Sequence, residues 1–360
     1  MSLDVQRRLA MADFDYELPQ DLIAQEPLAD RSASRLMVLD PDCHRISHHS
    51  FTQLPDLLEP GDLLVVNDSR VIPARLVGRR KSGGKVELLL LREVRPRQWL
   101  CLMRPARRLR LGERLMFVDW RHADVHTAIA TVIEKRDDGQ GIVELDPTLA
   151  GHLDDYGKVP LPPYIHHQLE DQERYQTVYA TAPGSAAAPT AGLHFTDGVF
   201  AALAARGIAT TRVTLHVGLD TFRPVTVDYA EDHVIHKEWC SVPEEAATAI
   251  AEARRRGSNV VAVGTTAART LESYGRQSNG IAGEPFSGMT GIYITPGYEW
   301  KMVDSMVTNF HLPRSTLLLM LSAFAGKDLL LAAYREAIRE RYRFYSFGDA
   351  MLVRSRARGD

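Results

Sequence analysis

The sequence predicts an α/β protein. A discontinuous α/β domain, residues 1–70 and 152–360, is interrupted by an inserted small antiparallel β-barrel, residues 71–151. Three observations carry this reading. Short apolar alternations recur between 71 and 151 with turn signals between them. Helical and strand patterns then alternate through the second half. The first 70 residues close on a buried-strand run, Asp62-Leu-Leu-Val-Val-Asn67, so the all-β stretch lies inside the α/β part.

The insert's alternating segments are VIPARLVGR, GKVELLLLR, QWLCLMR, ERLMFVDW, HTAIATVIEK and GIVELD, with turns at Ser82-Gly83-Gly84 and Asp138-Gly139. Roughly six short strands at this spacing fit a small barrel or sandwich; enclosed within another domain, they are read as a barrel. In the second half, TDGVFAALAARG reads as a helix capped by Thr196 or Asp197 and stopped by Gly207, leading into the strand ATTRVTLHV. PEEAATAIAEARRRG is an amphipathic helix ended by Gly257, and NVVAVG is a buried strand. Gly264-Thr265-Thr266 turns into the helix AARTLESYG. GIYIT and MVTNF read as strands, STLLLMLSAFAG and KDLLLAAYREAIRERY as helices, and DAMLVR as a last strand.

The net charge of −3 is unevenly spread. Between Arg79 and Arg114 twelve Lys or Arg stand against three acids, and between Arg335 and Arg358 seven Arg against three, so the remainder is acidic. Such separation points to a polyanion partner, or to basic residues that solvate exposed elements. Three distant cysteines, Cys43, Cys101 and Cys240, form no metal or disulfide pattern; with no leader-like or membrane-length apolar run, a reduced cytoplasmic protein without membrane association is expected.

Several segments carry more polar chemistry than their elements need. The loop 184–196, GSAAAPTAGLHFT, combines small residues with His194 just before a helix N-terminus; that end favours anions and a neutral imidazole, and a structural histidine in a surface loop fits equally. Gly264-Thr265-Thr266 offers donors at a strand end, where α/β proteins bind ligands, although Gly and Thr also serve ordinary turns. It is neither a Walker A loop nor a GxGxxG fingerprint. Asn67-Asp68-Ser69-Arg70 marks a site rim or a hinge into the insert. Thr308-Asn309-Phe310-His311-Leu312-Pro313-Arg314-Ser315 holds more polar groups than the cap Ser315 requires, unless they form an interior network. His233 and His236 fit either a helical face or an alternating strand, His122 and His126 are expected to face solvent, and no histidine pattern matches a metal site.

Together these segments resemble one family almost end to end, from DFDYELP at 13–19 to GDAMLV at 348–353. GDLLVVNDSRVIPARL, GGKVELLLL, YGKVPLPPYI, RYQTVYA, AAPTAGLHFT, VGTTAARTLES and TNFHLPRSTLLLMLSAF occur in order. The chain is similar to the S-adenosylmethionine:tRNA ribosyltransferase-isomerase family of queuosine biosynthesis. It departs at Asp220, where a glycine is expected, at Ile235 and Lys237, and at the pair His166-His167, where a basic pair is usual.

The resemblance implies a barrel-like mixed α/β domain with the inserted barrel. It implies a monomeric enzyme that transfers the ribosyl group of S-adenosylmethionine to 7-aminomethyl-7-deazaguanine at the wobble position of tRNAs with GUN anticodons and isomerises it. The products are epoxyqueuosine in tRNA, adenine and methionine, and neither metal nor prosthetic group takes part. A sulfonium acidifies its neighbouring C5′ hydrogens, so a positioned base in a water-poor site is required. His194 is the expected base, with Asp68 and Glu238 as rivals. Thr190, Gly192, Gly264, Thr265, Thr266, Asn309, His311 and Arg314 are expected around the cosubstrate. Arg79, Arg80, Lys81, Arg104, Arg107, Arg108 and Arg110 are expected to grip tRNA. A tRNA methyltransferase and a non-catalytic RNA-binding protein are the competing readings; the first lacks its glycine-rich strand–turn–helix here.

Overall fold

A computed structural model describes residues 8–119, 127–167, 169–218, 225–278 and 283–354. His122, His126 and Asp220 lie outside these residues. In chain order the strands of the first part are β1 (Arg35–Asp40), β2 (Arg45–Ser50), β3 (Leu63–Asn67) and β4 (Ser69–Val71), with the one-turn helix α1 (Leu54–Leu57) before β3. The insert follows as β5 (Arg75–Arg80), β6 (Lys85–Arg95), β7 (Gln98–Arg104), β8 (Arg114–Val118), β9 (Thr127–Lys135) and β10 (Gln140–Leu145). Two single turns, α2 (Pro147–Gly151) and α3 (Leu153–Tyr156), then lead to β11 (Gly157–Lys158) and β12 (Ala182–Ser185). The rest runs α4 (Asp197–Ala205), β13 (Ala209–Leu215), β14 (Glu238–Val242), α5 (Glu244–Arg255), β15 (Val260–Val263), α6 (Gly264–Gln277), β16 (Phe286–Thr290), β17 (Ser305–Asn309), α7 (Thr316–Ala325), α8 (Lys327–Arg339) and β18 (Ala350–Val353).

The predicted fold class is found. One mixed sheet has the order β16-β14-β13-β3-β15-β17-β18-β1-β2. Its centre, β13-β3-β15-β17, is parallel. Both faces of β3 and β15 are covered, which is why these two strands read as unbroken apolar runs. In β3, Leu63 and Val65 join the core under α5 to α8, while Leu64 and Val66 join the core under α4. In β15, Val260 and Ala262 take the first side, Val261 and Val263 the second.

All six strands expected of the insert are present, as a closed antiparallel barrel: β5-β6-β7-β10-β9-β8, with β8 pairing back to β5. Inward positions such as Leu76, Leu88, Cys101, Phe117, Ala130 and Val143 fill it. Closure depends on Gly78, where an added Cβ would lie 2.4 Å from the Met116 carbonyl oxygen and 2.7 Å from the Phe117 ring.

Two local expectations need correction. GIYIT is not a strand; the strand is the preceding Phe286–Thr290. After Thr290 the chain turns, the Ile292 N–H donates to Thr290 Oγ1, and Ile292 and Ile294 are buried from an irregular segment. Burial thus mimicked strand alternation. Gly264 to Thr266 is not a turn ahead of a helix but the first turn of α6 itself. Gly264 has φ +86°, a left-handed conformation that lets the strand hand over to the helix without a gap. Among the described residues no single helix is long and apolar enough to cross a membrane, and α7 is buried.

Glu272 on α6 fixes this helix against the segment entering β17. Fully buried, it accepts from the N–H groups of Lys301, Met302 and Val303 and from the Tyr298 hydroxyl. Glu272→Ala strands three backbone donors in the core. It should lower unfolding free energy by at least about 2 kcal/mol, since hydrogen bonds to charged groups are each worth about 1.5–3 kcal/mol. Urea denaturation measures this, and an unchanged midpoint would refute the role.

Candidate active site

The parallel strands β3, β13, β15 and β17 end on one edge of the sheet, the edge on which open α/β sheets bind ligands. A cleft enclosing about 520 Å³, part of it open to solvent, lies there. Its floor is Gly264, Thr265 and Thr266 from the first turn of α6, with Thr308 to Leu312 from the end of β17 and just beyond it. One wall is the segment 188–191, which includes Thr190; the other carries Tyr164, Tyr345 and Ser346. β18 runs antiparallel to β17, so the residues just ahead of β18 reach the same edge.

Six of the eight expected cosubstrate residues therefore meet: Thr190, Gly264, Thr265, Thr266, Asn309 and His311. Two do not line the cleft. At Gly192 an added Cβ would stand 2.0 Å from the Tyr179 hydroxyl, so that glycine serves close packing. Arg314 adopts φ +53° and its backbone bridges Phe14 and Val225. Among the described residues no arginine or lysine lines the cleft. The first-turn N–H groups of α6 have no partner within the helix and give this floor positive potential.

A buried relay stiffens the wall. Thr190 Oγ1 donates to Asn309 Oδ1 at 2.9 Å, which turns Asn309 Nδ2 towards His194 Nε2 at 3.1 Å. His194 Nδ1 then meets Ser34 Oγ at 2.8 Å. With Nε2 accepting, Nδ1 carries the proton and donates to Ser34. His194 ends a short 3-10 turn, Thr190–His194, and Thr196 caps α4. Its pKa is pushed down to about 3, chiefly by burial and then by the positive charges of Arg343 and Arg31. Phe51 packs 5.1 Å from the imidazole, centre to centre.

None of His194, Asp68 and Glu238 is among the described residues that line this cleft. His194 has both nitrogens engaged. Asp68 accepts from Thr214 Oγ1 at 2.7 Å and Thr181 Oγ1 at 2.9 Å. Glu238 is buried, accepts from the Gly218 N–H at 2.7 Å and pairs with Arg269. His311, by contrast, faces the cleft. Thr308 Oγ1 lies 2.7 Å from its Nε2, and burial lowers its pKa to about 3. Burial pushes the Tyr164 and Tyr345 phenols up, so both stay protonated. Among the described lining residues, His311 alone carries an imidazole, and it is uncharged at neutral pH. Neither burial nor orientation is written in local sequence, so the choice among these histidines was not legible there. Among the described residues no group of three or more His, Cys, Asp or Glu could hold a metal ion.

The barrel carries most of the predicted basic residues at the end away from where the chain enters, while Arg92, Arg95 and Arg97 lie by register towards the other end. Arg79 pairs with Lys85 and Met116, and Arg104 with Glu87, whereas the entry residue Arg75 pairs with Leu89 and Lys158. Arg79, Lys81, Arg104, Arg107, Arg108 and Arg110 are exposed there. Arg80 is different: its guanidinium is held by Glu113 at 2.6 Å and donates to the Arg108 carbonyl. Its charge is spent within the barrel.

Comparison with known proteins gives one answer. A family model described as "Queuosine biosynthesis protein" matches residues 11–353. An S-adenosylmethionine:tRNA ribosyltransferase-isomerase from Symbiobacterium thermophilum is 49% identical over 348 residues, covering 96% of this chain and all of that protein. The crystal structure of an S-adenosylmethionine tRNA ribosyltransferase from Thermotoga maritima is 40% identical, covers 95% of this chain and 99% of its own, and superposes with a TM-score of 0.55.

The two buried histidines set an acid limit on the fold. His194 and His311 titrate near 3 in the folded chain and near 6.5 when solvated. Below about pH 6.5 the unfolded chain takes up protons that the folded chain refuses. Their stabilisation is complete above that pH. It falls as pH drops towards 3, by up to about 1.4 kcal/mol per pH unit for each histidine. His194→Gln should be less stable at neutral pH yet lose stability less steeply on acidification. Urea unfolding from about pH 7 to pH 5 measures both slopes, and equal slopes would contradict a neutral buried His194.

Proposed function

This chain belongs to the queuosine biosynthesis protein family, and from that premise we propose that it is an S-adenosylmethionine:tRNA ribosyltransferase-isomerase. It transfers the ribosyl group of S-adenosylmethionine to 7-aminomethyl-7-deazaguanine at the wobble position of GUN-anticodon tRNA and rearranges it to the epoxycyclopentane of epoxyqueuosine. Adenine and methionine leave. The observation that carries the reading is the uncharged, partly enclosed cleft over the first turn of α6, lined by Thr190, Asn309 and His311. Thr265 and Thr266 supply donors for the cosubstrate, and the sulfonium meets no like charge among the described lining residues. In this proposal His311 accepts the C5′ proton. His194 acts through Asn309, holding its amide so that Thr190 stays on the wall. The exposed arginines at the far end of the barrel hold the tRNA backbone, and the protein works as a cytoplasmic monomer without a prosthetic group.

Product analysis tests the activity. Incubation with S-adenosylmethionine and precursor-bearing tRNA should yield adenine, methionine and an epoxyqueuosine nucleoside by mass spectrometry; S-adenosylhomocysteine instead would establish a methyltransferase. His311→Asn should lower turnover by about 10²–10⁴-fold, the usual worth of a positioned base, and abolish exchange of C5′ hydrogens with heavy water. His194→Asn should chiefly weaken cosubstrate binding. The reverse pattern would return the base role to His194.

For the barrel, Arg107→Glu with Arg108→Glu should weaken tRNA binding and flatten its salt dependence while leaving S-adenosylmethionine affinity unchanged. An unaltered tRNA affinity would remove this face from the interface.

A further inference from the structure

A second cleft, enclosing about 290 Å³ with part of it open to solvent, lies further along the same sheet edge. β1 runs parallel to β18, so Arg31 to Ser34, just ahead of β1, sit beside the turn 345–348 ahead of β18. The two clefts share Ser346 as a wall residue, and the Asn309–His194–Ser34 relay runs between them. Their surroundings differ in charge. Arg31 and Arg174 line the second cleft, and Arg343 lies close enough to depress the pKa of His194 on its wall.

These three guanidinium groups share an unusual state. Arg31 donates to the carbonyls of Glu173 and Gln176, Arg174 to those of Leu28 and Ala29, and Arg343 to that of Glu26. Among the described residues none of the three forms an ion pair. The neighbouring acids are committed elsewhere: Glu173 to Arg70, Asp349 to Arg35, Glu26 to His167, Asp171 to the Glu173 N–H and Asp30 to Ser32. Arg174 Nε and Arg343 Nη1 are buried and have no acceptor at all. Half-buried cations without a direct ion pair are unfavourable by themselves, because burial removes hydration that neutral carbonyls only partly replace; Asp171 and Glu173 near Arg31 and Asp349 near Arg343 offset this only through space. Arg31 also uses only two of its five N–H donors on those carbonyls.

We propose that this cleft is an oxyanion site, in which Arg31, Arg174 and Ser34 grip two oxygens of one anionic group and Arg343 adds its charge from behind. Planar guanidinium forks suit paired oxygens of a phosphodiester or a carboxylate. The inference rests on the proposed function for its two sources: a backbone phosphate of tRNA beside the target nucleotide, or the methionyl carboxylate of S-adenosylmethionine reaching past Ser346.

The first probe is inorganic phosphate, which requires no catalytic activity. At constant ionic strength it should raise the thermal midpoint of the wild-type chain more than chloride does. Arg31→Gln and Arg174→Gln should each lose that response, and Arg31→Lys should recover part of it. The substrates then separate the sources. A phosphodiester site predicts that Arg31→Gln weakens tRNA about tenfold and reduces its salt slope by about one, with S-adenosylmethionine affinity unchanged. A carboxylate site predicts that S-adenosylmethionine weakens about tenfold while adenosine, which lacks the methionyl group, binds as to wild type. No phosphate response in the wild type, or folded variants of both arginines that bind phosphate, tRNA and S-adenosylmethionine normally, overturns the site. Should the wild type release no adenine from S-adenosylmethionine, the functional reading fails alone, and the phosphate titration still decides the site.

Discussion

Asn309 closes β17 with its side-chain amide engaged on both sides, its oxygen by Thr190 and its nitrogen by His194. The arrangement admits one protonation state. A charged imidazole would present N–H groups at both nitrogens, Asn309 would have to turn its oxygen inward, and Thr190 would lose its acceptor. Neutrality of one buried histidine therefore fixes the loop 188–191 over the first turn of α6. The same ring, through Ser34, ties the segment ahead of β1 to that loop. Pieces of chain centred on residues 34, 192 and 309 are joined by three hydrogen bonds, and both clefts are built against the joint.

Much of the fold was legible because it is written locally. Each barrel strand alternates on its own, and β3 and β15 read as apolar runs, since both of their faces are covered. The helices α4 and α7 carried their N-caps, Thr196 and Ser315, openly, and α5 and α8 their amphipathic periodicity. The order of the sheet was not legible. β18, from the end of the chain, inserts between β17 and β1, and no local pattern encodes a pairing over three hundred residues. Gly78 is similar: its need appears only where β8 returns to close the barrel.

The candidate site divides along the same line. Thr190, Gly264 to Thr266, Asn309 and His311 stood out as polar or small residues at strand ends, and the structure brings them together. Arg31, Arg174 and Arg343 did not stand out, because each looks like an ordinary surface cation in its own segment. Their meeting depends on β1 and β18 pairing. His194 and His311 show the limit most clearly. Both follow small or polar residues at an element boundary, yet one faces the cleft and the other is sealed behind it by Phe51, Asn309 and Ser34.

The distribution of charge around the two clefts has a common physical basis. A sulfonium cosubstrate with its ammonium and carboxylate carries net positive charge, so any fixed cation on its own wall would repel it in a poorly solvated space. Among the described residues the first cleft is lined by hydroxyls, an amide and an uncharged imidazole, beside the dipolar N-terminal end of α6. Arg31 and Arg174 line the second cleft, and exposed arginines stand at the far end of the barrel. Arg31 and Arg343 still act across the wall, because their field adds to burial in keeping His194 uncharged. Filling the second cleft with an anion would weaken that field and raise the His194 pKa towards its solvated value. Burial, the larger cause, would remain, so the relay would keep its tautomer and the first cleft its shape while the second fills and empties.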